Sequence, residues 1–374
     1  MVDKIRALFV VGARPQFIKS APVIREIIEN HRGIKLIVVH SGQHYDPEMS
    51  EIFFRELQIP RPSLNLHTGS GSHATQTSAI MKRLEPTILR FKPQFVIVPG
   101  DTNTTLAAAV TAAKLEIPVA HIEAGLRSGD IHMPEEINRR LTDHCSTLAF
   151  APTKTAVANL NSEGLRDRTY LTGDTMVDAM ETVLPYVQRR QGAVLEQFQL
   201  NSLRYVLVTL HRPSNVDDPT RLRAIRAALH RLGKRIRVIF LVHPRTLERL
   251  RRLREMRQVH AGIILASPQG YVETLSLIRN AACVITDSGG IQKESFMLHV
   301  PCITLRTSTE WPETLRNHAN RLVTNPKTIP SKVLQVALDE DLRSQIRRLK
   351  NPFGDGRASV RVARILERAL RNLN

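Results

Sequence analysis

The sequence predicts an α/β protein of two Rossmann-like domains. Three observations predict it. Short runs that are apolar on both faces recur along nearly the whole chain, segments of helical period separate them, and the series runs twice. Strands without a polar face belong in a sheet covered by helices on both sides, which is the setting of parallel sheets. A chain of 374 residues suits two domains of ordinary size.

The first series opens on IRALFVVG at 5–12. Its apolar run, ALFVVG, is too short for a secretory h-region, and charge returns at Arg14, so it reads as a first strand. A helix is expected over 16–29, with Pro15 at its first position. Strands IKLIVVHS at 34–41, QFVIVPG at 94–100, PVAHIE at 118–123 and TLAFAP at 147–152 follow, with helices over 102–115 and 153–163. The stretch TGDTMVDAMETVLPYVQRRQGAVLEQF carries no strand signal and reads as a helical join near residues 173–200. The second series has strands RYVLVTLH at 204–211, RVIFLVHP at 237–244, GIILA at 262–266, ACVITDS at 282–288 and PCITLR at 301–306. Helices are expected over 220–232 and 271–280. There is no internal repeat, no low-complexity stretch and no apolar run of membrane-span length.

The apolar fraction of 42% and charged fraction of 24% are those of a soluble globular protein. Cys145, Cys283 and Cys302 lack metal-ligand spacing, and the last two sit in apolar runs as buried thiols would, which fits a reducing cytoplasm. The net charge of +18 raises the question of a polyanionic partner. Arginines 249, 251, 252, 254 and 257 point around most of a helix instead of forming one stripe, and aromatics are only 5% of the chain. Base stacking has little to work with, so the run reads as a solvated helix and no nucleic-acid partner is expected.

In doubly wound folds ligands bind beyond the carboxyl ends of the strands. That rule selects Arg14, Gln43, His44, Asp101, Glu123, His211, His243 and the segment Asp287-Ser288-Gly289-Gly290. If the domains face each other, all of these line one interdomain cleft. VVGARPQFIK at 10–19 is a strand, a glycine turn and a helix whose N-terminus could hold an anion beside Arg14; otherwise it is an ordinary turn. It matches neither GxGxxG nor a Walker loop. TDSGGIQKES at 286–295 places Ser288, Gly289 and Gly290 where a diphosphate could sit, with Glu294 one turn inside for a ribose; otherwise Ser288 is an N-cap and the glycines serve packing. Asp101 is either a reagent or the N-cap of the helix after it. His211 is either structural or a phosphate and proton contact. HIEAGLRSGDIHMPEEINRR at 121–140 holds Glu123, Glu135 and Glu136. Glu123 could be a partner for Arg127 or Arg139, and the other two could be first-turn acids favoured by the helix dipole. Clustered, these acids would raise one another's pKa values and suit acid–base chemistry.

GARPQFIKSAP, SGQHYDPEMSEIFF, GSGSHATQT, GDTNTTLAAA, HIEAGLRSGDIHMPEEINRRLTDH, TLHRPSNVDD, TDSGGIQKES, TEWPE and NPFGDG, taken in order, resemble the non-hydrolysing UDP-N-acetylglucosamine 2-epimerases from about residue 5 to 370. The resemblance implies a GT-B fold and a last helix, after Gly356, that returns to the first domain. The domains expected are therefore 1–173 plus 357–374, and 174–356. It implies UDP contacts from Arg14, Lys19, Gln269, Ser288, Gly289, Gly290 and Glu294. It makes Asp101, Glu123, Glu135 and His211 the catalytic set, and places Gln43, His44 and His243 near a regulatory nucleotide-sugar site. It implies a UDP-sugar substrate, neither NAD nor a metal, no membrane partner and a homodimer. Four positions depart from the common bacterial pattern: Trp311 replaces an arginine, Thr274 an aromatic, Lys293 an acid and His299 a glycine. The GARPQFIK, QHYD and TGDTMVDA variants resemble a branch shared by archaeal enzymes and by epimerases of a diacetamido-glucuronic acid sugar, so the sugar stays open.

The implied route is elimination. UDP leaves C1 as a carboxylate takes the C2 proton, giving a 2-acetamidoglucal; reprotonation on the other face and return of UDP give the epimer. Glu123 and Glu135 are expected as opposed proton-transfer acids, with Asp101 tuning or sharing that role. The alternatives are a 2-epimerase of UDP-2,3-diacetamido-glucuronate, a GT-B glycosyltransferase, a hydrolysing epimerase, and a basic binding protein for polyanions.

Overall fold

The structure is a computed structural model that describes residues 5–42, 60–253 and 262–371. It divides into two compact units, one of Met1–Val183 with Asn351–Asn374, the other of Leu184–Lys350.

The first unit is built on a seven-stranded parallel sheet. Its strands are β1 (Ile5–Val11), β2 (Ile34–His40), β3 (Leu64–Asn65), β4 (Phe95–Pro99), β5 (Val119–Ile122), β6 (Leu148–Ala151) and β7 (Thr169–Leu171), in the order β3-β2-β1-β4-β5-β6-β7. The second unit repeats the plan with β8 (Tyr205–Leu210), β9 (Arg237–Val242), β10 (Ile263–Ala266), β11 (Cys283–Thr286), β12 (Cys302–Thr304) and β13 (Asn320–Leu322), in the order β10-β9-β8-β11-β12-β13. Both orders turn back at their first strand, so the loops after β1 and β4, and after β8 and β11, diverge and leave room for a ligand. β3, β7 and β13 were not expected from the sequence. Each is two or three residues long and lies at a sheet edge, too short to carry a periodic signal.

Leu8, Phe9, Val10 and Val11 are consecutive and all buried, as a strand covered on both faces must be. On one face Leu8 and Val10 pack with Leu84 and Ile88 of the helix His73–Phe91 and with Ala108 and Ala112 of the helix Asn103–Lys114. Each large side chain fully buried in this way contributes about 1.5–3 kcal/mol. The alanines let the second helix approach the sheet closely.

The helix Thr175–Gln197 contains the division between the units. The boundaries fall at 183/184 and 350/351, where residues 173/174 and 356/357 were expected. The start of this helix lies in the first unit, where it anchors the chain's last helix, Ala358–Arg371. Asp178 caps that last helix, accepting from the Ala358 and Ser359 amides at 3.2 and 2.8 Å and from the Ser359 hydroxyl. At its far end Glu367 pairs with His31 at 2.9 Å. Among the described residues no helix is long and apolar enough to cross a membrane.

Candidate active site

In the first unit the chain turns sharply after each of two neighbouring strands. Gly100, after β4, takes a φ of +68°, which suits glycine. Beyond β5, Glu123 and Gly125 take φ values of +71° and +82°. Gly125 is also required sterically, since a Cβ there would lie 2.4 Å from the Ala156 carbonyl. Glu123 holds a left-handed backbone without glycine's freedom, at a cost of about 1–2 kcal/mol. Such strain is concentrated at functional sites.

These turns set Asp101 and Glu123 at adjacent strand ends. Glu123 is almost fully buried and forms an ion pair with Lys19. The sequence offered Arg127 or Arg139 as its partner, and the ion pair seen is with Lys19. Arg127 pairs with Asp143 and Glu163, and Arg139 pairs with Asp101 at 3.0 Å and Glu136 at 3.3 Å. Asp101 is not a helix cap either. Thr102 occupies that position, accepting from the Thr105 amide. The Asp101 carboxyl is raised above the ordinary aspartate range, chiefly by withdrawal from water, with Glu135 and Glu123 adding to the effect and Arg139 and Lys19 opposing it. Its side chain keeps 29% of its surface accessible, so protein crowds the carboxyl without sealing it.

The helix Pro134–Cys145 supplies the third acid and the supports. Glu135, Asn138 and Arg139 stand at i, i+3 and i+4, one face of the helix. Asn138 donates to the Asp101 carbonyl at 2.9 Å while Arg139 holds its carboxylate. Glu135 makes no hydrogen bond or ion pair among the described residues. Glu136 is completely buried and accepts from the Ser128 amide and hydroxyl at 2.9 and 3.1 Å, with Arg139 and Arg140 beside it. The two neighbouring glutamates thus have opposite environments, one structural and one available.

Ahead of the first helix, two backbone amides are bound from within. Gln16 accepts from the Gly12 and Ala13 amides at 2.8 and 3.1 Å and donates to the Pro99 carbonyl and Thr105 hydroxyl. It caps the helix Arg14–Asn30 and ties β1 to β4. Gly12 serves packing, since a Cβ there would collide with the Thr104 and Ser41 hydroxyls. Arg14 begins this helix, and its side chain lies outside the described residues. Lys19, assigned above to UDP, lies against Glu123, among the acids.

The second unit holds the other candidates. Thr209 of β8 is in register with Thr286 of β11, so His211 and Asp287 emerge side by side although 76 residues separate them. Asp287 accepts from the backbone amides of His211 and Arg212 and from Asn215, and its Oδ1 lies 3.1 Å from His211 Nδ1. Burial pushes the Asp287 carboxyl up, but these bonds outweigh it and hold it below the usual range. A carboxylate partner fixes Nδ1 as a donor and leaves Nε2 for a ligand. The strand-end rule selected Asp287 along with the residues after it, but not its pairing with His211. The His243 ring lies 5.6 Å from that of His211. Gln43 and His44, the other expected regulatory positions, lie outside the described residues.

Ser288 precedes the helix Gly289–Met297 without a side-chain cap bond, so its hydroxyl is not used as a cap. The two glycines differ. A Cβ on Gly289 would lie 2.2 Å from a Glu310 carboxylate oxygen, whereas one on Gly290 would meet only the Ser288 hydroxyl at 3.8 Å. Gly289 accommodates protein, and Gly290 faces open space. Glu310 is held by Arg306 at 2.6 Å. Glu294 is buried one turn inside this helix, and Gln269 donates to the Ser267 carbonyl. Lys293 and Trp311 are both buried, with the ammonium 3.7 Å from the ring centroid. Thr274, the position expected to carry an aromatic, donates from its hydroxyl to the Gly270 carbonyl one turn back in its own helix, at 2.7 Å.

Residues 26–367 match the family model described as UDP-N-acetylglucosamine 2-epimerase. A UDP-N-acetylglucosamine 2-epimerase homolog of Methanococcus maripaludis is 43% identical over 97% of this chain and 99% of its own. A UDP-2,3-diacetamido-2,3-dideoxy-D-glucuronate 2-epimerase of Pseudomonas aeruginosa is 40% identical over 97% of this chain and 99% of its own. Among solved structures, the UDP-GlcNAc 2-epimerase of Methanocaldococcus jannaschii in complex with UDP-GlcNAc and UDP superposes with a TM-score of 0.90 at 41% identity, over 97% of this chain and 100% of that one.

Proposed function

The chain belongs to the UDP-N-acetylglucosamine 2-epimerase family, and on that premise we propose that it interconverts UDP-GlcNAc and UDP-ManNAc by eliminating and re-adding UDP. The observation that carries this reading is the cluster of acids in the first unit. Asp101, Glu123 and Glu135 come together, Lys19 neutralises one of them, and Asp101 is shifted toward the protonated form.

The C2 hydrogen of an N-acetyl sugar is weakly acidic, so its removal is coupled to departure of the C1 substituent. A carboxylate takes the proton from C2 as the C1–O bond to UDP breaks, leaving a 2-acetamidoglucal and UDP. A second acid then delivers a proton to the opposite face of C2, and UDP returns to C1. Two faces require two proton-handling groups, and we assign them to Glu123 and Glu135. Asp101, already biased toward holding a proton, shares or tunes the transfer.

The second unit takes the nucleotide. Charge collects on the leaving diphosphate, and His211, oriented by Asp287, stabilises it together with Ser288 and the open backbone at Gly290. Arg14, Lys19, Gln269 and Glu294 complete the proposed UDP contacts. Gln43, His44 and His243 belong to a proposed regulatory site, supported here by the closeness of the His243 and His211 rings. We also propose a cytoplasmic homodimer, in keeping with three unpaired cysteines, that supplies precursors for surface polysaccharide.

A second substrate, UDP-2,3-diacetamido-glucuronate, is favoured by the 40% identity to an epimerase of that sugar. NMR of each nucleotide sugar incubated separately with the protein decides between them. The expected result is a C2 epimer forming from UDP-GlcNAc with no acceptor present. Free N-acetylmannosamine would show a hydrolysing enzyme, and turnover only with an added acceptor would show a transferase.

A further inference from the structure

His121 stands on β5 two residues before Glu123, paired in register with Val98 and Ala149, and is completely buried. A buried histidine usually keeps one proton and one lone pair, and each needs a partner of the right kind. Here both partners are acceptors. Nε2 lies 2.7 Å from the Gly100 carbonyl oxygen, and Nδ1 lies 2.7 Å from Asp143 Oδ1. A carbonyl oxygen has no proton to give. The other Asp143 oxygen accepts from the Gly125 amide at 3.0 Å and faces Arg127 at 2.8 Å, as a carboxylate does.

We propose that His121 is a positioning residue, an imidazolium that donates from both ring nitrogens and holds the two acid-bearing turns in register. One donor fixes Gly100, whose φ of +68° aims Asp101. The other fixes Asp143, which in turn holds Gly125, whose φ of +82° closes the turn begun at Glu123. A single buried ion pair therefore sets the spacing of two acids that it does not touch. The charged groups around the ring are Asp143 and Arg127, with Glu163 beyond Arg127. The burial of Asp143 pushes its carboxyl up, but His121 and Arg127 bring it below its ordinary value, consistent with a carboxylate partner. The role of the clamp rests on the reading of Asp101 and Glu123 as proton-handling groups.

The test uses the full chain with 15N-labelled histidine. The resonance that disappears in His121→Gln should show a proton on both ring nitrogens, since each faces an acceptor. A singly protonated ring would overturn the clamp. In steady-state assays His121→Gln, which keeps a donor for Gly100, should lose roughly 10-fold in kcat and His121→Leu roughly 100-fold, with KM nearly unchanged, as expected for a displacement of reacting groups by a fraction of an ångström. Wild-type kcat in both variants would also overturn the proposal. Solvent deuterium in wild-type product reports separately on the acids. A C2 left unlabelled would overturn their assignment and with it the purpose of the clamp. A singly protonated ring in an enzyme that labels C2 would overturn the clamp alone.

Discussion

The Lys293 ammonium lies over the Trp311 ring, 3.7 Å from its centroid, with both side chains buried in the second unit. Two departures from the common family pattern are thus one contact. The contact places a buried cation on an aromatic face. Trp311→Arg would set two cations together in a buried place and should cost about 2–4 kcal/mol. Adding Lys293→Glu should recover more than half of that loss. Urea denaturation of the wild type, both single variants and the double variant measures the coupling. Additive losses would show that the two positions act independently.

The pair His211 and Asp287 should behave as a unit. Asp287→Asn removes the carboxylate that orients the ring, and kcat should fall about 100-fold or more, the scale of a lost acid–base contribution. Its effect on stability follows from the depressed carboxyl. Asp287 stabilises the fold above its ordinary value of 3.8, and that contribution is lost as pH falls through the lower folded value. The variant should therefore have a lower Tm than wild type near neutrality, and the gap should close in strong acid. A gap independent of pH would contradict this account.

Glu135 and Glu136 should separate cleanly. Glu135→Gln should reduce kcat at least about 1,000-fold, since it takes a proton carrier from one face of C2. Its Tm should stay near that of wild type, because Glu135 has no hydrogen-bond or ion-pair partner among the described residues. Glu136→Gln leaves Arg139 and Arg140 without their buried carboxylate and should cost about 3–5 kcal/mol in stability. Thermal unfolding and steady-state rates on the same two variants check both halves.

Asp101 should show a trade between stability and activity. Burial raises its carboxyl above 3.8, so the folded chain holds this proton more tightly than the unfolded chain. The resulting stabilisation is present below 3.8 and is lost as pH rises through the folded value. Asp101→Asn resembles the neutral form and escapes that loss. The difference in Tm between variant and wild type should grow more positive from about pH 4 to about pH 8, while activity falls. A difference that grows more negative over that range would contradict the direction of the shift.

The parts of this molecule that were legible in the sequence are those fixed by local pattern. IRALFVV and CVIT announce themselves because both faces are apolar, and the strand-end rule then finds Asp101, Glu123, His211 and Ser288 without a structure. The parts that were not legible depend on partners distant in the chain. Nothing in the order of residues separates Glu135 from Glu136; the fold does so by bringing Ser128 to one of them. Asp101 and Thr102 are equally good caps on paper, and Arg139 draws Asp101 away. The bonds Gln16 makes at the first helix were hidden because they need Pro99 and Thr105 brought close by β4. The pairing of Asp287 with His211 was hidden for the same reason, since His211 follows a neighbouring strand 76 residues earlier. The glycines of TDSGG looked alike, and only the position of Glu310 divides them into one for packing and one open.

The central claim is that carboxylates of the first unit take and return the C2 proton of a UDP-N-acetyl sugar. Solvent labelling tests it most directly. With UDP-GlcNAc in D2O, the account predicts one deuterium at C2 of the UDP-ManNAc formed and, after many turnovers, at C2 of the recovered UDP-GlcNAc as well. Epimerisation that proceeds with C2 unlabelled in both sugars would contradict it.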